Sequence, residues 1–305
     1  MRHLAILGTG LLLASLTACG GGSDPLSAAS DDTSSSGSSV VIGSANFPES
    51  QLLAEMYAQV LENAGVDVTR KFNIGSREVY IDALKDGSID LLPEYNGALL
   101  SYFSSGKEVD ASTEEAVTAG LNTSLPKGLE LLEPASAQDR DALVTRAETA
   151  EKLDLESISD LAPVAGQMAI GAGAEYATRQ QGLLGLKSVY GLTFKKFESL
   201  DAGGALTVQA LAKDRVQVAS LLSTDPAIVQ NDFVVLDDSK NLFGVQNVVP
   251  LIAGAQNTPA ITAALNTFSA TLTTEKLTEA VGQVTIDQKE PDTVARDYLT
   301  ANGLD

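Results

Sequence analysis

The chain has 305 residues, with 20 Lys and Arg against 40 Asp and Glu, for a net charge of −20 at pH 7. So large an acidic excess argues against nucleic acid as a partner, because phosphate binding rests on clustered basic side chains. One cysteine, one histidine and no tryptophan exclude an internal disulfide and leave the core to Leu, Val, Ile and Ala.

Arg2 and His3 precede an apolar run over residues 4–16 and then Leu16-Thr17-Ala18-Cys19. This pattern predicts a secretory signal over residues 1–18. The run falls short of the ~20 residues of a membrane span. The Leu-Thr-Ala-Cys string also resembles the lipobox of bacterial lipoproteins, in which cleavage precedes the cysteine and its sulfur is lipidated, so Cys19 is expected to be a lipid anchor on the extracytoplasmic face of the cell membrane. Loss of the signal takes His3 with it. Ser-His-Asp, Cys-His and His-ligated metal chemistry are then excluded, and no cofactor or metal is expected. Residues 20–39 are almost entirely Gly, Ser, Ala, Asp and Thr, too poor in apolar surface to offset the entropy of ordering. With Cys19 they are expected to form a flexible tether over residues 19–39.

Folded sequence is expected from Val40, leaving about 265 residues, enough for two lobes of ordinary domain size. Val40-Val41-Ile42-Gly43 reads as a buried strand. Asn46 and Glu49 form a capping-box pattern ahead of a helix whose apolar residues, from Leu52 to Ala64, keep to one face, with Gly65 placed to end it. Residues 66–72 read as a second strand, and Ser76 as the cap of a helix over 77–86 that Gly87 stops.

Next comes Ile89-Asp90-Leu91-Leu92, a strand expected to leave its sheet at Pro93, which offers no N–H to a ladder. Glu94, Tyr95 and Asn96 follow at the strand end, with Asn96 the expected N-cap of an apolar helix over 98–103. Strand ends of this kind are the usual ligand site of open α/β sheets. Tyr95 thus reads either as a ligand contact or as an amphipathic edge residue.

A capping box at Ser112 and Glu115 predicts a helix over 112–123. Strands are predicted over 139–145, 167–172, 194–200, 216–221 and 233–236, with helices over 179–190 and 204–213 between them. After a strand at 247–252 the chain reads as three amphipathic helices, over 259–268, 274–284 and 291–301. The strand-helix alternation occurs twice without an internal sequence repeat, which predicts two α/β lobes and a cleft between them.

Val41-Ile42-Gly43-Ser44 with Asn46-Phe47, then Gly75-Ser76-Arg77-Glu78, Asp90-Leu91 with Pro93-Glu94-Tyr95, Ser223-Thr224-Asp225-Pro226, and Asn247 with Pro250 stand in order along the chain. In this order and spacing they resemble the substrate-binding lipoproteins of osmoprotectant (glycine betaine, choline, carnitine) ABC transporters. The resemblance spans residues 40–305. It implies a two-lobed periplasmic-binding-protein (type II, Venus-flytrap) fold with a parallel-rich sheet in each lobe, lobe I over 40–142 plus 246–305 and lobe II over 143–245, closing on a ligand by a hinge. It also implies a monomeric receptor, without chemistry of its own, that hands a small cationic or zwitterionic solute to ABC permease and ATPase subunits.

In that family quaternary ammonium groups sit among tyrosine faces. Tyr95 falls on one such position, but alignment places Asp141, Leu222 and Gln246 on the other three. The expected site is therefore a more polar pocket of Tyr95, Asp141, Gln246 and Asn247, with Ser44, Asn46 and Gln51 from the first strand-helix turn, Asn96, and Leu222, Ser223 and Thr224. Tyr57, Tyr80, Tyr102, Tyr190 and Tyr298 read as helix-face residues, and Tyr176 as a further candidate for the cleft. Asp141 reads either as a counter-charge to a cationic solute or as the partner of Arg140 or another base. Arg77 either receives a ligand carboxylate or ties Glu78 and Glu94 together. Ser223-Thr224-Asp225 reads as a helix N-cap offering N–H groups to the cleft. A receptor of the same fold for another polar solute, a secreted carboxylate-dependent hydrolase and a structural lipoprotein are the alternatives. The lack of tryptophan platforms counts against the hydrolase.

Overall fold

The computed structural model describes residues 39–104 and 109–305. The signal, Cys19 and the tether up to residue 38 lie outside the described residues. From Val40 the chain alternates β1 (Val40–Ala45), α1 (Pro48–Asn63), β2 (Val68–Gly75), α2 (Arg77–Lys85), β3 (Leu91–Tyr95) and α3 (Asn96–Phe103). Helix α4 (Glu114–Ser124) and strand β4 (Leu129–Leu131) follow. A second series then begins: β5 (Asp141–Arg146), α5 (Ala147–Leu153), β6 (Ala169–Gly173), α6 (Leu183–Tyr190), β7 (Lys196–Leu200), α7 (Ala205–Ala212), β8 (Val218–Leu222), α8 (Ala227–Gln230) and β9 (Phe233–Val235). Strand β10 (Val248–Ala253) and helices α9 (Pro259–Thr271), α10 (Thr274–Thr285) and α11 (Pro291–Ala301) complete the chain.

The strands form two five-stranded sheets, ordered β2-β1-β3-β10-β4 and β7-β6-β8-β5-β9. Their designs match: three parallel strands are followed by two antiparallel pairings, made by β10 in one sheet and β5 in the other. Parallel strands need crossovers, and α1, α2, α6 and α7 supply them. Apolar clusters cover both faces of each sheet, which explains why β1, β3 and β8 read as near-continuous hydrophobic runs. The first sheet's larger cluster joins the buried face of α1 (Leu52, Leu53, Met56, Tyr57) to Leu265 and Phe268 of α9, Leu277 of α10 and Leu299 of α11.

Two connections join the sheets, one between β4 and β5 and the other between β9 and β10. They meet in an isolated antiparallel bridge, Gln138 to Asn247, with Asp139 N–H donating to Gln246 O at 3.0 Å. The first crossing thus ends just before Asp141, where β5 starts.

Three local expectations are corrected. Pro93 does not end its strand: β3 continues to Tyr95, and Pro93 stands opposite Pro250 of β10. Two residues without N–H face each other at a rung where neither has to donate, so the ladder loses nothing. The capping box of Asn46 and Glu49 does not form, because Pro48 takes the first helical position and makes Phe47 the N-cap. Glu49 is left free to turn elsewhere. Asn96 is the first residue of α3 rather than its cap, and its Oδ1 accepts instead from Asn247 N–H at 2.9 Å.

Candidate functional site

A cleft of about 840 Å³, counting its open mouth, lies between elements of the two sheets. The first sheet contributes the β1–α1 turn (Asn46, Phe47), the start and first turn of α2 (Ser76, Arg77, Tyr80) and the end of β3 (Tyr95). The second contributes Asp141, Ala172 and Gly173 at the end of β6, Glu175, Tyr176 and Arg179 beyond it, and Ser220 to Leu222 of β8. Asp139 and Gln246 line it from the crossings. Carboxyl ends of parallel strands therefore face each other across the opening, as an open α/β sheet places its ligand.

Of the expected site residues, Tyr95, Asp141, Asn46, Leu222 and Gln246 line this cleft. Ser44, Gln51, Asn96, Asn247, Ser223 and Thr224 are not among its lining residues, and most have structural partners. Ser44 Oγ donates to Ala45 O and accepts from Asn73 N–H. Asn247 donates from Nδ2 to Ala135 O and Glu114 Oε1. Gln246 reaches the cleft wall with its amide already engaged, Oε1 accepting from Ala98 N–H and Nε2 donating to Phe243 O. Ser223 and Thr224 serve the crossing rather than a helix N-terminus: Ser223 Oγ and Thr224 N–H both donate to Asp139 Oδ1 at 3.2 Å.

Four aromatic side chains line the cleft: Phe47, Tyr80, Tyr95 and Tyr176. Phe47 and Tyr95 form one wall, with ring centroids 6.1 Å apart and planes inclined by 30°. Two of the hydroxyls are held by buried acids, Tyr95 donating to Glu49 at 2.6 Å and Tyr80 to Glu94 at 2.7 Å. Assignment of Tyr80 to a helix face alone is thereby corrected. It stands at i+3 from Arg77, a spacing that brings both side chains to the same side of α2. Tyr176 joins the cleft as well, its hydroxyl near Ser220 and Asp141 but without a formed hydrogen bond.

The charges are arranged in pairs. Arg77 grips Glu94 bidentately, Nε to Oε1 at 2.8 Å and Nη2 to Oε2 at 2.9 Å, with both side chains buried. Glu94 accepts in addition from Tyr80 Oη and Tyr95 N–H, so a buried carboxylate is fully satisfied. Arg77 thus ties Glu94, but Glu78 goes to Arg179, which reaches it across the cleft mouth at 3.0 and 2.9 Å. Burial works to raise the Glu78 carboxyl, yet hydrogen bonds from Arg179 and Ser76 override it and hold it down at about 2.

Asp141 has no such partner. Its one side-chain hydrogen bond is from Ser220 Oγ at a long 3.4 Å, and it forms no ion pair with Arg140. It keeps part of its surface open to the cleft. Burial raises its carboxyl to about 6, against the pull of Arg179 and Arg77, whose charges are engaged by Glu78 and Glu94. Glu175, half-buried, adds a second carboxylate to the lining.

Between the sheets, Glu49 and Asp139 make a buried carboxyl pair. Glu49 accepts from Tyr95 Oη and from Thr224 Oγ1 of the opposite lobe. Burial raises both acids, and Asp139 is pushed far up, further by the Glu49 charge beside it. Asp139 Oδ2 has no protein donor. Two acceptors side by side need one proton between them, the arrangement that like-charge neighbours enforce.

Among the described residues no group of acids, His or Cys is arranged to hold a metal ion, and no helix is long and apolar enough to cross a membrane. Residues 38–301 match the family model described as "Substrate binding domain of ABC-type glycine betaine transport system". The chain belongs to this family. It is a substrate-binding component and not an enzyme.

This family member is 28% identical over 275 residues to the glycine-betaine-binding protein of Pseudomonas aeruginosa, a match covering 86% of this chain and 88% of that one. It is also 28% identical over 281 residues to the glycine betaine-binding protein YehZ of Escherichia coli, covering 87% and 91%. Among solved structures, a glycine betaine/carnitine/choline ABC transporter protein aligns at a TM-score of 0.66 and 23% identity, over 87% of this chain and 99% of that one, and shares its fold. The apo form of YehZ aligns at 0.60 and 25% identity, covering 88% and 100%. The two-sheet α/β architecture is thus that of the periplasmic binding proteins.

Sequence reasoning missed Glu49, Tyr80, Asp139, Glu175 and Arg179 as parts of this region. One signal was available for Asp139: in an extended segment it shares a side with Asp141, two residues on. Glu49 carried the opposite signal, since a capping pattern explained it locally. Glu175 and Arg179 come from an irregular segment whose path is set only by packing.

Proposed function

We propose that this receptor captures a small cationic or zwitterionic solute, of the glycine betaine, choline or related kind, in the cleft lined by Tyr95 and Asp141. The observation that carries this reading is the Asp141 carboxylate without an ion pair, set among aromatic ring surfaces. A ring face contributes about 0.5–2 kcal/mol to holding a cation, and the carboxylate adds Coulomb attraction in a site shielded from bulk water. Arg77 and Arg179 are engaged by acids, which favours a positive head group over an anionic ligand.

The lobes would rotate about the paired crossings at Gln138 and Asn247, lobe I holding the first sheet with α9–α11 and lobe II the second. Closure would present the loaded form to a permease driven by partner ATPase subunits, with Cys19 anchoring a monomeric receptor by lipid to the outer face of the membrane. A thermal-shift screen against betaines, choline, carnitine and neutral polar controls tests the solute class. A cation is expected to raise Tm by mass action. A rise with neutral or anionic solutes alone would show that the cleft serves another ligand.

A further inference from the structure

The chemistry of the cleft narrows the ligand further, on the reading that the cleft holds a cation. A carboxylate offers about four acceptor positions. Asp141 uses one of them, for the 3.4 Å contact with Ser220, and its side chain makes no other hydrogen bond to protein. Solvent can serve the rest while the cleft holds no ligand. A bound ligand displaces that solvent, and each acceptor must then meet a donor or bear the cost of desolvation.

Among the arginines and tyrosines of the lining, only Tyr176 keeps a proton that no acceptor holds. Arg77 and Arg179, the cationic side chains of the lining, hold Glu94 and Glu78. Tyr95 and Tyr80 give their protons to Glu49 and Glu94. Tyr176 carries one hydroxyl proton beside Ser220 and Asp141, with no bond formed. Counting the two arginines with their acids as neutral, Asp141 and Glu175 remain, so the lining carries net negative charge.

A permethylated ammonium answers the charge and leaves the acceptors empty, because its methyl groups do not make N–H···O bonds. A cation that keeps at least one N–H answers both. We infer that this cleft selects ammonium ligands bearing N–H, received by Asp141, over their fully methylated analogues. A charge-assisted N–H···O bond is shorter and about twice as strong as a neutral one. The remaining methyl groups and carbon chain would lie against Phe47 and Tyr95.

The test is a methylation ladder at constant charge: ethanolamine, N-methylethanolamine, N,N-dimethylethanolamine and choline, titrated calorimetrically into the purified protein and into Asp141→Asn at pH 7.5. The dimethyl compound is expected to bind at least about tenfold more tightly than choline, the size of one hydrogen bond to a charged group. Asp141→Asn should bring the two within about twofold, through loss of the charged acceptor. Choline binding most tightly in the native protein overturns the inference while leaving cation capture intact. A dimethyl preference that survives in Asp141→Asn overturns the assignment to Asp141. If neither this ladder nor glycine betaine binds, cation capture itself fails. The native ladder needs no variant to fold.

Discussion

The Glu49–Asp139 pair shows how one residue depends on its opposite lobe. Glu49 belongs to α1, Asp139 to a crossing and Thr224 to the end of the second sheet, yet all three are buried together. A carboxyl buried next to another acid holds its proton at a pH where the unfolded chain, with a carboxyl near ~3.9, has released it. Over that window the folded state binds more protons, so stability falls as pH rises from the ordinary carboxylate range toward the raised value for Asp139. Asp139→Asn keeps an acceptor for Thr224 and supplies a permanent N–H toward Glu49. It should match the native protein near pH 4 and exceed it in stability near pH 8 by about 1 kcal/mol or more. Urea denaturation across that range measures it, and parallel profiles for the two proteins would sink the shared-proton account.

At the scale of elements, the β3–α3 unit is fixed by what lies beside it. Pro93 and Pro250 stand opposite each other, Asn96 bridges to the β10 approach, and Gly97 lets α3 come against the return crossing. A Cβ on Gly97 would stand 2.1 Å from Val245 O, a backbone atom that cannot rotate away. Gly97→Ala is therefore expected to destabilise by about 1–3 kcal/mol, the usual cost of overpacking, read as a lower urea midpoint. An unchanged midpoint would mean that the crossing yields freely. Such facts explain why strand and helix positions could be read from the chain while the roles of their ends could not. Apolar runs placed β1 and β3, which are buried on both faces, and periodicity placed α10, which buries one. The caps at Asn46 and Asn96 failed because a following proline in one case and a partner strand in the other competed for the same groups.

Across the whole molecule, the two sheets are joined at two kinds of place. The paired crossings, proposed above as the hinge, meet at Gln138 and Asn247, and the Arg179–Glu78 pair links Arg179 of the cleft lining to α2. Such a pair favours the closed arrangement without touching solute, and its partial exposure keeps the effect modest. Glu78→Gln should shift the ligand-free protein toward open forms and raise Kd for a bound cation by about two- to fivefold, in keeping with a loss of up to ~1 kcal/mol. Small-angle scattering should give a larger radius of gyration without ligand and the same radius as the native protein when saturated. Identical radii in both states would remove the pair from lobe closure.

The sequence by itself determined the class: the strand-helix alternation, the absence of histidine from residue 4 onward, the acidic balance and the ordered motifs that mark the family. Those properties follow from local composition and periodicity, which neighbouring residues fix among themselves. Tyr95 and Asp141 were also legible, because one ends a strand and the other begins one, and the cleft lies at strand ends. Only the tertiary structure decided what each polar group is free to do. Gln246, Asn247 and Thr224 look like binding residues in the sequence and are engaged by the crossings, whereas Tyr80 looks like packing and faces the cleft. A side chain's availability depends on partners far along the chain, such as Glu49 for Thr224, 175 residues away. That pairing is set by how the two lobes meet.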